Sequence, residues 1–321
     1  MDAETVQELV RDDMGLVNTL LQDSLQSDVS LISQLSSYII LNGGKRLRPK
    51  LLLLSARACG YEEGSTHILL AAIIELIHTA TLLHDDVVDH SEMRRGKKTT
   101  NEVWGNAASV LVGDFIYSRA FELMVEAKSM RIMEVLAHAT NNIAKGEVMQ
   151  LMNCHDPDTT EERYMQVILD KTAQLFSAAG KLGSIIANRQ EFETPLESYG
   201  KYLGIAFQLI DDIMDYDADS QDMGKNIGDD LAEGKPTLPL IYALSRGTAS
   251  QTALLRDAIC GKDVNIEDII EIIHDTRATD YAHKQAIKQA SEAKACITLL
   301  PDSNYKRALE FLADFSVQRH I

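Results

Sequence analysis

The stretch Thr66–Asp89 constrains the fold of this chain more than any other. It is apolar on nearly every side of a helical wheel (Ile68, Leu69, Ile73, Ile74, Leu76, Ile77, Leu82, Leu83) and ends in three carboxylates, Asp85, Asp86 and Asp89. A helix with so little polar face belongs at the centre of a bundle, surrounded by other elements. Those elements read as helices too. Apolar residues recur at three- and four-residue spacing through Val6–Leu25, Val29–Leu41, Leu51–Ala58, Asn106–Glu126, Met130–Met152, Glu161–Asn188, Leu196–Tyr216, Leu238–Leu244 and the segments beyond Thr248. Sustained alternation and hairpin-type Asn-Gly turns, the marks of strands, are absent. The expected fold class is all-α. Breaks fall at Asn42-Gly43-Gly44, Gly60–Gly64, Asp156-Pro157-Asp158, Thr194-Pro195, Gly224–Pro239 and Leu300-Pro301, with Pro157 and Pro195 read as helix-start prolines. No low-complexity linker divides the 321 residues, so a single domain spanning 1–321 is expected.

Composition excludes several function classes. A net charge of −17 argues against nucleic acid as a partner, because a phosphate backbone needs a basic surface. The four cysteines (Cys59, Cys154, Cys260, Cys296) form no C-x-x-C pair and read as reduced packing residues of a cytoplasmic protein. The chain opens Met-Asp-Ala-Glu-Thr, without a signal sequence's basic and apolar segments. No uncharged run reaches the roughly 18 residues of a membrane span, so a soluble protein is expected.

The aspartates carry the chemistry. At about 100° per residue, Asp85 and Asp89 project from nearly one helix face with Asp86 beside them. Like charges so close repel, and a bound hard cation such as magnesium resolves the conflict; a solvated acidic helix end is the alternative. Asp211, Asp212 and Asp215 repeat the same spacing, again after apolar helical sequence. Two such clusters on two helices could hold metal ions across a cavity.

With Gly43-Gly44-Lys45-Arg46-Leu47-Arg48-Pro49 and the Val317-Gln318-Arg319 end, these motifs carry a resemblance over nearly the whole chain. The sequence resembles the trans-isoprenyl diphosphate synthases, and most of all their bacterial long-chain branch. The resemblance implies an isoprenoid-synthase-type helical bundle around a deep central cavity, usually a homodimer, for which the apolar face of Asn106–Glu126 is suited. It implies Mg2+ as cofactor, and isopentenyl diphosphate and farnesyl diphosphate as substrates. Carboxylates repel a diphosphate unless a divalent cation lies between, and an allylic cation formed beside water would be trapped as an alcohol.

Residue by residue, the resemblance assigns Asp85, Asp86, Asp89, Asp211, Asp212 and Asp215 as metal ligands. It assigns Lys45, Arg48, His78 and Arg95 to isopentenyl diphosphate, a role the forked donors of arginine suit. Arg94, Lys171, Lys225 and Lys235 fall to the allylic diphosphate. Thr172 and Gln208 are the positions whose oxygens face the carbocation, and Gln208 also shares the aspartate face by spacing. His78, seven residues before Asp85, shares that face as well. The glycine- and charge-rich loop Asp222–Asp230, followed by Gly234-Lys235-Pro236-Thr237, resembles the family's closing flap. Whether the basic end at Arg319 reaches the site is left open.

In this family the residues four and five before the first aspartate govern chain length. Here they are Thr81 and Ala80, both small, which implies a long product. The tunnel floor is sought among Ile74, Ile77, Phe121, Met124, Met133 and Met149, with Met124 the chosen candidate. Overall similarity points to a C40 product, suited to a quinone side chain and needing transient membrane contact for release. Hepta-, nona- and decaprenyl products stay open. A terpene cyclase, a non-catalytic subunit of a heteromeric synthase and a helical calcium-binding protein are the competing readings. The second Asp-Asp-x-x-Asp motif, the two intact clusters and the missing loop-ligand pattern weigh against each in turn.

Overall fold

The computed structural model describes residues 1–41, 44–94, 96–216 and 228–318. Its helices are α1 (Ala3–Leu9), α2 (Arg11–Ser24), α3 (Ser30–Leu41), α4 (Leu47–Ala58), α5 (Thr66–Val88), α6 (Thr100–Trp104), α7 (Asn106–Glu126), α8 (Met130–Asn153) and α9 (Glu161–Val167). A π-helical turn (Ile168–Ala173) joins α9 to α10 (Gln174–Ile186), and α11 (Glu193–Met214), α12 (Asp229–Ala232) and α13 (Leu238–Arg246) follow. The last are α14 (Ala249–Ile259), α15 (Ile266–Asp275), α16 (Ala278–Cys296) and α17 (Asn304–Val317). Between α5 and α6 lies a small antiparallel hairpin, β1 (Met93–Arg94) and β2 (Lys97–Lys98), which the absence of strand signals did not foresee. Two-residue strands are too short to print an alternation.

Other boundaries move as well. The expected Val6–Leu25 helix breaks at Val10, whose φ of −123° leaves the helical region. Pro157 lies in a turn before the Thr160 cap of α9 and does not start a helix, and Pro195 is the third residue of α11. The fourth helix begins earlier than its apolar run, with Pro49 in the first turn, where the missing N–H is no loss.

The chain forms two compact units. The first (Met1–Thr140, Leu175–Gly200, Cys296–Leu312) is built around α5, against which α2, α4, α6 and α7 pack. By length and composition α5 could cross a membrane, but 72% of its most apolar window is buried within the protein, as in a core helix. In α4 the run Leu51–Leu54 is fully buried, so this helix too is covered all round. In the second unit (Asn141–Gln174, Lys201–Ala295, Ala313–Ile321), Ala282 and Ala286 of α16 join Tyr164, Ile168, Leu209 and Ile213 in one core cluster. Small side chains at four-residue spacing let α16 lie close against its neighbours. A second cluster joins Leu240, Leu255, Ile259, Ile269 and Ile273 from α13, α14 and α15.

Candidate active site

In the first unit, α5 delivers Asp85, Asp86 and Asp89 at its C-terminal end. The helix stops where His90 adopts a left-handed φ of 52°, and the Asp89 N–H donates to the Asp85 carbonyl at 2.8 Å. Asp85 and Asp89 are half-buried, whereas Asp86 is only 2% exposed. A carboxylate that deep needs a partner. Arg94 supplies it, donating Nε at 2.9 Å and Nη2 at 2.6 Å to Asp86 Oδ1. Burial pushes the Asp86 carboxyl up from its ordinary range, and the Arg94 charge draws it part of the way back.

Arg94 is held in place through the chain that follows α5. Thr99 Oγ1 donates to the Ser91 carbonyl at 2.6 Å, and Asn101 Nδ2 donates to the same oxygen at 3.1 Å. Thr100 and Ser109 hydroxyls meet at 2.7 Å, and Ser109 donates to the Leu83 carbonyl at 3.2 Å. From α3, the Tyr38 hydroxyl donates to the Lys98 carbonyl at 2.7 Å. These five polar contacts tie the hairpin to α3 and to the end of α5.

A second set of cations lies at the start of α4. Arg46, with a left-handed φ of 49°, forms a nearly buried ion pair with Glu75, the one acid in the middle of the apolar α5. Arg48 Nη1 lies 3.0 Å from His78 Nε2, and its guanidinium carbon stands 4.4 Å from the centre of the Phe176 ring. A guanidinium keeps its protons, so His78 Nε2 is the acceptor in this contact. Phe176 is set by a close helix crossing, since a Cβ on Gly200 of α11 would sit 2.2 Å from the Phe176 carbonyl oxygen. Arg46, Glu75, His78, Asp86, Arg94 and Lys98 all line one partly open cleft of the first unit. Lys45 is exposed beside it in sequence. Such a cleft favours an oxyanion-rich ligand.

In the second unit the same aspartate spacing meets different neighbours. Asp212 of α11 is 4% exposed and accepts from Gln208 Nε2 at 2.7 Å and from the Tyr164 hydroxyl. Gln208 Oε1 accepts from the Thr172 hydroxyl at 3.0 Å. Burial, aided by the charge of Asp230, pushes the Asp212 carboxyl up to about 8. Burial likewise raises the Tyr164 hydroxyl well above its ordinary value. Asp215 accepts backbone N–H groups from Asp229 and Asp230, both at 3.1 Å, and so caps the first turn of α12. Asp211 is half-buried.

Lys171 and Thr172 both lie in the π turn, a feature that commonly marks functional positions in helices. Lys171 Nζ is 2.5 Å from Gln150 Oε1 and 2.6 Å from Glu147 Oε2. Lys235 pairs with Glu233, and its backbone N–H donates to the Asp230 carbonyl at 2.8 Å.

Comparison with known proteins decides what these features belong to. Residues 29–276 match the family described as polyprenyl synthetase. The chain belongs to the polyprenyl synthetase family. Octaprenyl diphosphate synthase of Escherichia coli K12 is 51% identical over 323 residues, covering 99% of this chain and 99% of that protein. Octaprenyl diphosphate synthase of Haemophilus influenzae is also 51% identical, covering 100% of this chain and 98% of that one. The crystal structure of a polyprenyl synthase from Caulobacter crescentus CB15, complexed with calcium and isoprenyl diphosphate, matches with a TM-score of 0.95 at 44% identity. That match covers 100% of this chain and 98% of the other. This polyprenyl synthetase has the all-α isoprenoid synthase fold and is a prenyltransferase.

The donor sets of this synthetase fit a hard divalent cation, because both clusters offer carboxylate oxygens. Among the described residues no group of three or more His, Cys, Asp or Glu side chains closes into a cage. Magnesium does not require one, since one or two carboxylates and phosphate oxygens usually hold it.

Of the residues singled out in the sequence, Arg48 and His78 meet each other, and Asp86 meets Arg94. Thr172, Gln208 and Asp212 form one hydrogen-bonded run. Ala80 is fully buried, Thr81 is half-buried with its hydroxyl donated to the His78 carbonyl at 2.9 Å, and Met124 of α7 is 1% exposed. Arg95, Lys225, Arg319 and the Asp222–Ile227 part of the flap lie outside the described residues. The sequence reading passed over Arg46, Glu147, Gln150, Tyr164 and Phe176. Arg46 stood inside a motif already noted. Nothing local in the sequence marked the other four, whose partners come from other helices.

Proposed function

We propose that this chain is a long-chain trans-polyprenyl diphosphate synthase that adds isopentenyl diphosphate repeatedly to farnesyl diphosphate and gives octaprenyl diphosphate. The observation that carries this reading is 51% identity, over nearly the full length of both chains, to two proteins named octaprenyl diphosphate synthase. The cleft lined by Arg46, His78, Asp86 and Arg94 supports it. Mg2+ would be held at one cluster by Asp85, Asp86 and Asp89 and at the other by Asp211, Asp212 and Asp215, where it would withdraw charge from the bridging oxygen and make diphosphate a good leaving group.

The protein's own groups orient the two substrates. Arg94, Lys171, Lys225 and Lys235 hold the allylic diphosphate, while Lys45, Arg48, Arg95 and His78 hold isopentenyl diphosphate. The allylic C–O bond breaks with its electron pair leaving on diphosphate. The isopentenyl double bond then attacks the allylic carbon, a C–C bond forms, and the new cation loses a proton to the released diphosphate. Gln208 and Thr172 are fixed against each other, so their oxygens stay directed while positive charge develops. Ala80 and Thr81 leave the chain room to grow, and Met124 contributes to the floor.

The rest of the reading follows from the class. A homodimer formed through α7 is supported by Leu111 and Val125, 67% and 66% exposed on that helix. A single domain is supported by α8, α11 and α17, which run unbroken through the division between the two compact units. We place the protein in the cytoplasm, with transient membrane contact as product leaves for quinone side chains.

The test is incubation of purified protein with Mg2+, farnesyl diphosphate and labelled isopentenyl diphosphate, with sizing of the dephosphorylated products. A main product near C40 is expected. A stop at C20, after a single addition, would keep the chemistry and overturn the open-tunnel reading of Ala80 and Thr81, and no elongation would overturn the enzyme class.

A further inference from the structure

Helix α8 is pressed against the π turn that carries Lys171. Gly146 marks the contact, since a Cβ there would sit 2.5 Å from the Lys171 nitrogen and 2.9 Å from the Asp170 carbonyl carbon. On either side of this glycine, α8 grips the turn through side chains. Lys145 Nζ reaches Asp170 Oδ2 at 3.2 Å, and Gln166 Nε2 donates to the same oxygen at 3.0 Å. Glu147 Oε2 and Gln150 Oε1 take the Lys171 ammonium at 2.6 Å and 2.5 Å. Both Lys171 and Glu147 are partly buried, with side chains 18% and 29% exposed.

We infer that Glu147, with Gln150 beside it, is a positioning residue that sets the affinity for the allylic diphosphate by directing the Lys171 ammonium. The inference rests on the reading of Lys171 given under the proposed function. A lysine ammonium is a point charge on a flexible stem and has no direction of its own. Two acceptors three residues apart on one helix supply a direction, because such residues share a helix face. The two contacts are of nearly equal length, although only one acceptor is charged. The pair holds the ammonium at two points and so fixes where its charge stands. Lys145, on the same stretch, holds Asp170 and does not touch the ammonium in this way.

The test is calorimetric binding of the non-ionising S-thiolo analogue of farnesyl diphosphate, with Mg2+, to full-length protein. Glu147→Ala should weaken binding ~10-fold, and Glu147→Gln, which keeps an acceptor, less than ~3-fold; Glu147→Ala should add nothing in a Lys171→Ala background, as expected of residues acting through one another. Lys145→Ala should bind as wild type. Additive losses in the double variant would assign Glu147 a merely structural role and overturn the inference. Tighter binding by Glu147→Gln would overturn it in favour of charge competition. If Glu147→Ala does not fold, Glu147→Gln and Gln150→Ala decide, and wild-type binding by Gln150→Ala overturns the paired-acceptor geometry. Wild-type protein that elongates farnesyl diphosphate while Glu147→Ala binds normally sinks this inference alone. Wild-type protein that binds no analogue sinks it together with the reading of the site.

Discussion

At the end of α5 the middle aspartate, Asp86, faces the guanidinium of Arg94; near the end of α11 the middle aspartate, Asp212, faces a phenol and an amide. The two clusters share one spacing and almost the same depth, with Asp86 2% and Asp212 4% exposed. Their partners differ in kind. A cation partly offsets the burial of Asp86 and ties it to a hairpin anchored by Thr99, Asn101 and Tyr38. At Asp212 burial and the Asp230 charge favour the protonated form, which the neutral donors Tyr164 and Gln208 only partly offset, and Gln208 links it to Thr172. Equal sequence spacing thus does not imply equal electrostatics. The first cluster is wired to charge, the second to a chain of hydrogen bonds.

The largest effects should not distinguish them. Asp85→Ala and Asp211→Ala each remove a half-buried carboxylate from the face assigned to metal, and each should lower the rate of isopentenyl incorporation by ~10³-fold or more, about 4 kcal/mol of transition-state stabilisation. A loss at one cluster only, measured with labelled isopentenyl diphosphate, would show that the two are not both metal sites.

Next in size are the partners, where the clusters should part. Arg94→Met leaves Asp86 buried without its cation. The penalty for a fully buried pair is 3–5 kcal/mol, but Arg94 is 38% exposed and solvent screens it, so ~2 kcal/mol is expected in urea unfolding. Tyr164→Phe deprives Asp212 of one neutral donor and should lower stability by ~1–2 kcal/mol. The salt response separates them further. Raising ionic strength should shrink the wild-type advantage over Arg94→Met and leave that over Tyr164→Phe nearly unchanged. Equal salt dependence would break the contrast between charge and hydrogen bonding.

This contrast was only half legible in the sequence. The Asp-Asp-x-x-Asp spacing announces itself twice because helical periodicity is local, and the same periodicity marked α5 as a buried core helix. Gln208 could be placed on the aspartate face for the same reason. Tyr164 could not, because its bond to Asp212 joins residues 48 apart in the chain and depends on how two helices pack. The Glu147–Lys171 contact is hidden further by the π turn, which breaks the 3.6-residue register that sequence reading relies on. The β1–β2 hairpin escaped because its strands are two residues long, and Pro157 misled because a proline starts turns as readily as helices. Glu75, an acid in the middle of an apolar helix, needs a partner on physical grounds, but nothing in the sequence says that Arg46 would be it.

The smallest expected effect tests the electrostatic difference most directly. In protein stripped of divalent ions with a chelator, Asp212 titrates at about 8, far above the ~3.9 of an unfolded aspartate. Between those values the folded state binds the extra proton. The associated stability is intact below pH ~4 and is lost as pH rises to about 8, because in that window the unfolded chain releases its proton while the folded state must keep it. Asp212→Asn cannot titrate, so the stability of wild type relative to this variant should fall with rising pH across that window. Effective screening is substantial even at buried sites, so the fall should amount to ~1 kcal/mol rather than the larger figure the full shift would imply. The corresponding comparison with Asp86→Asn should slope the same way but less, because Arg94 draws the Asp86 carboxyl back towards its ordinary range. Thermal unfolding from pH 4 to 9 reads both slopes. If the Asp86 slope equals or exceeds that of Asp212, the guanidinium does not hold the first cluster in its charged form, and the two aspartate motifs are electrostatically alike after all.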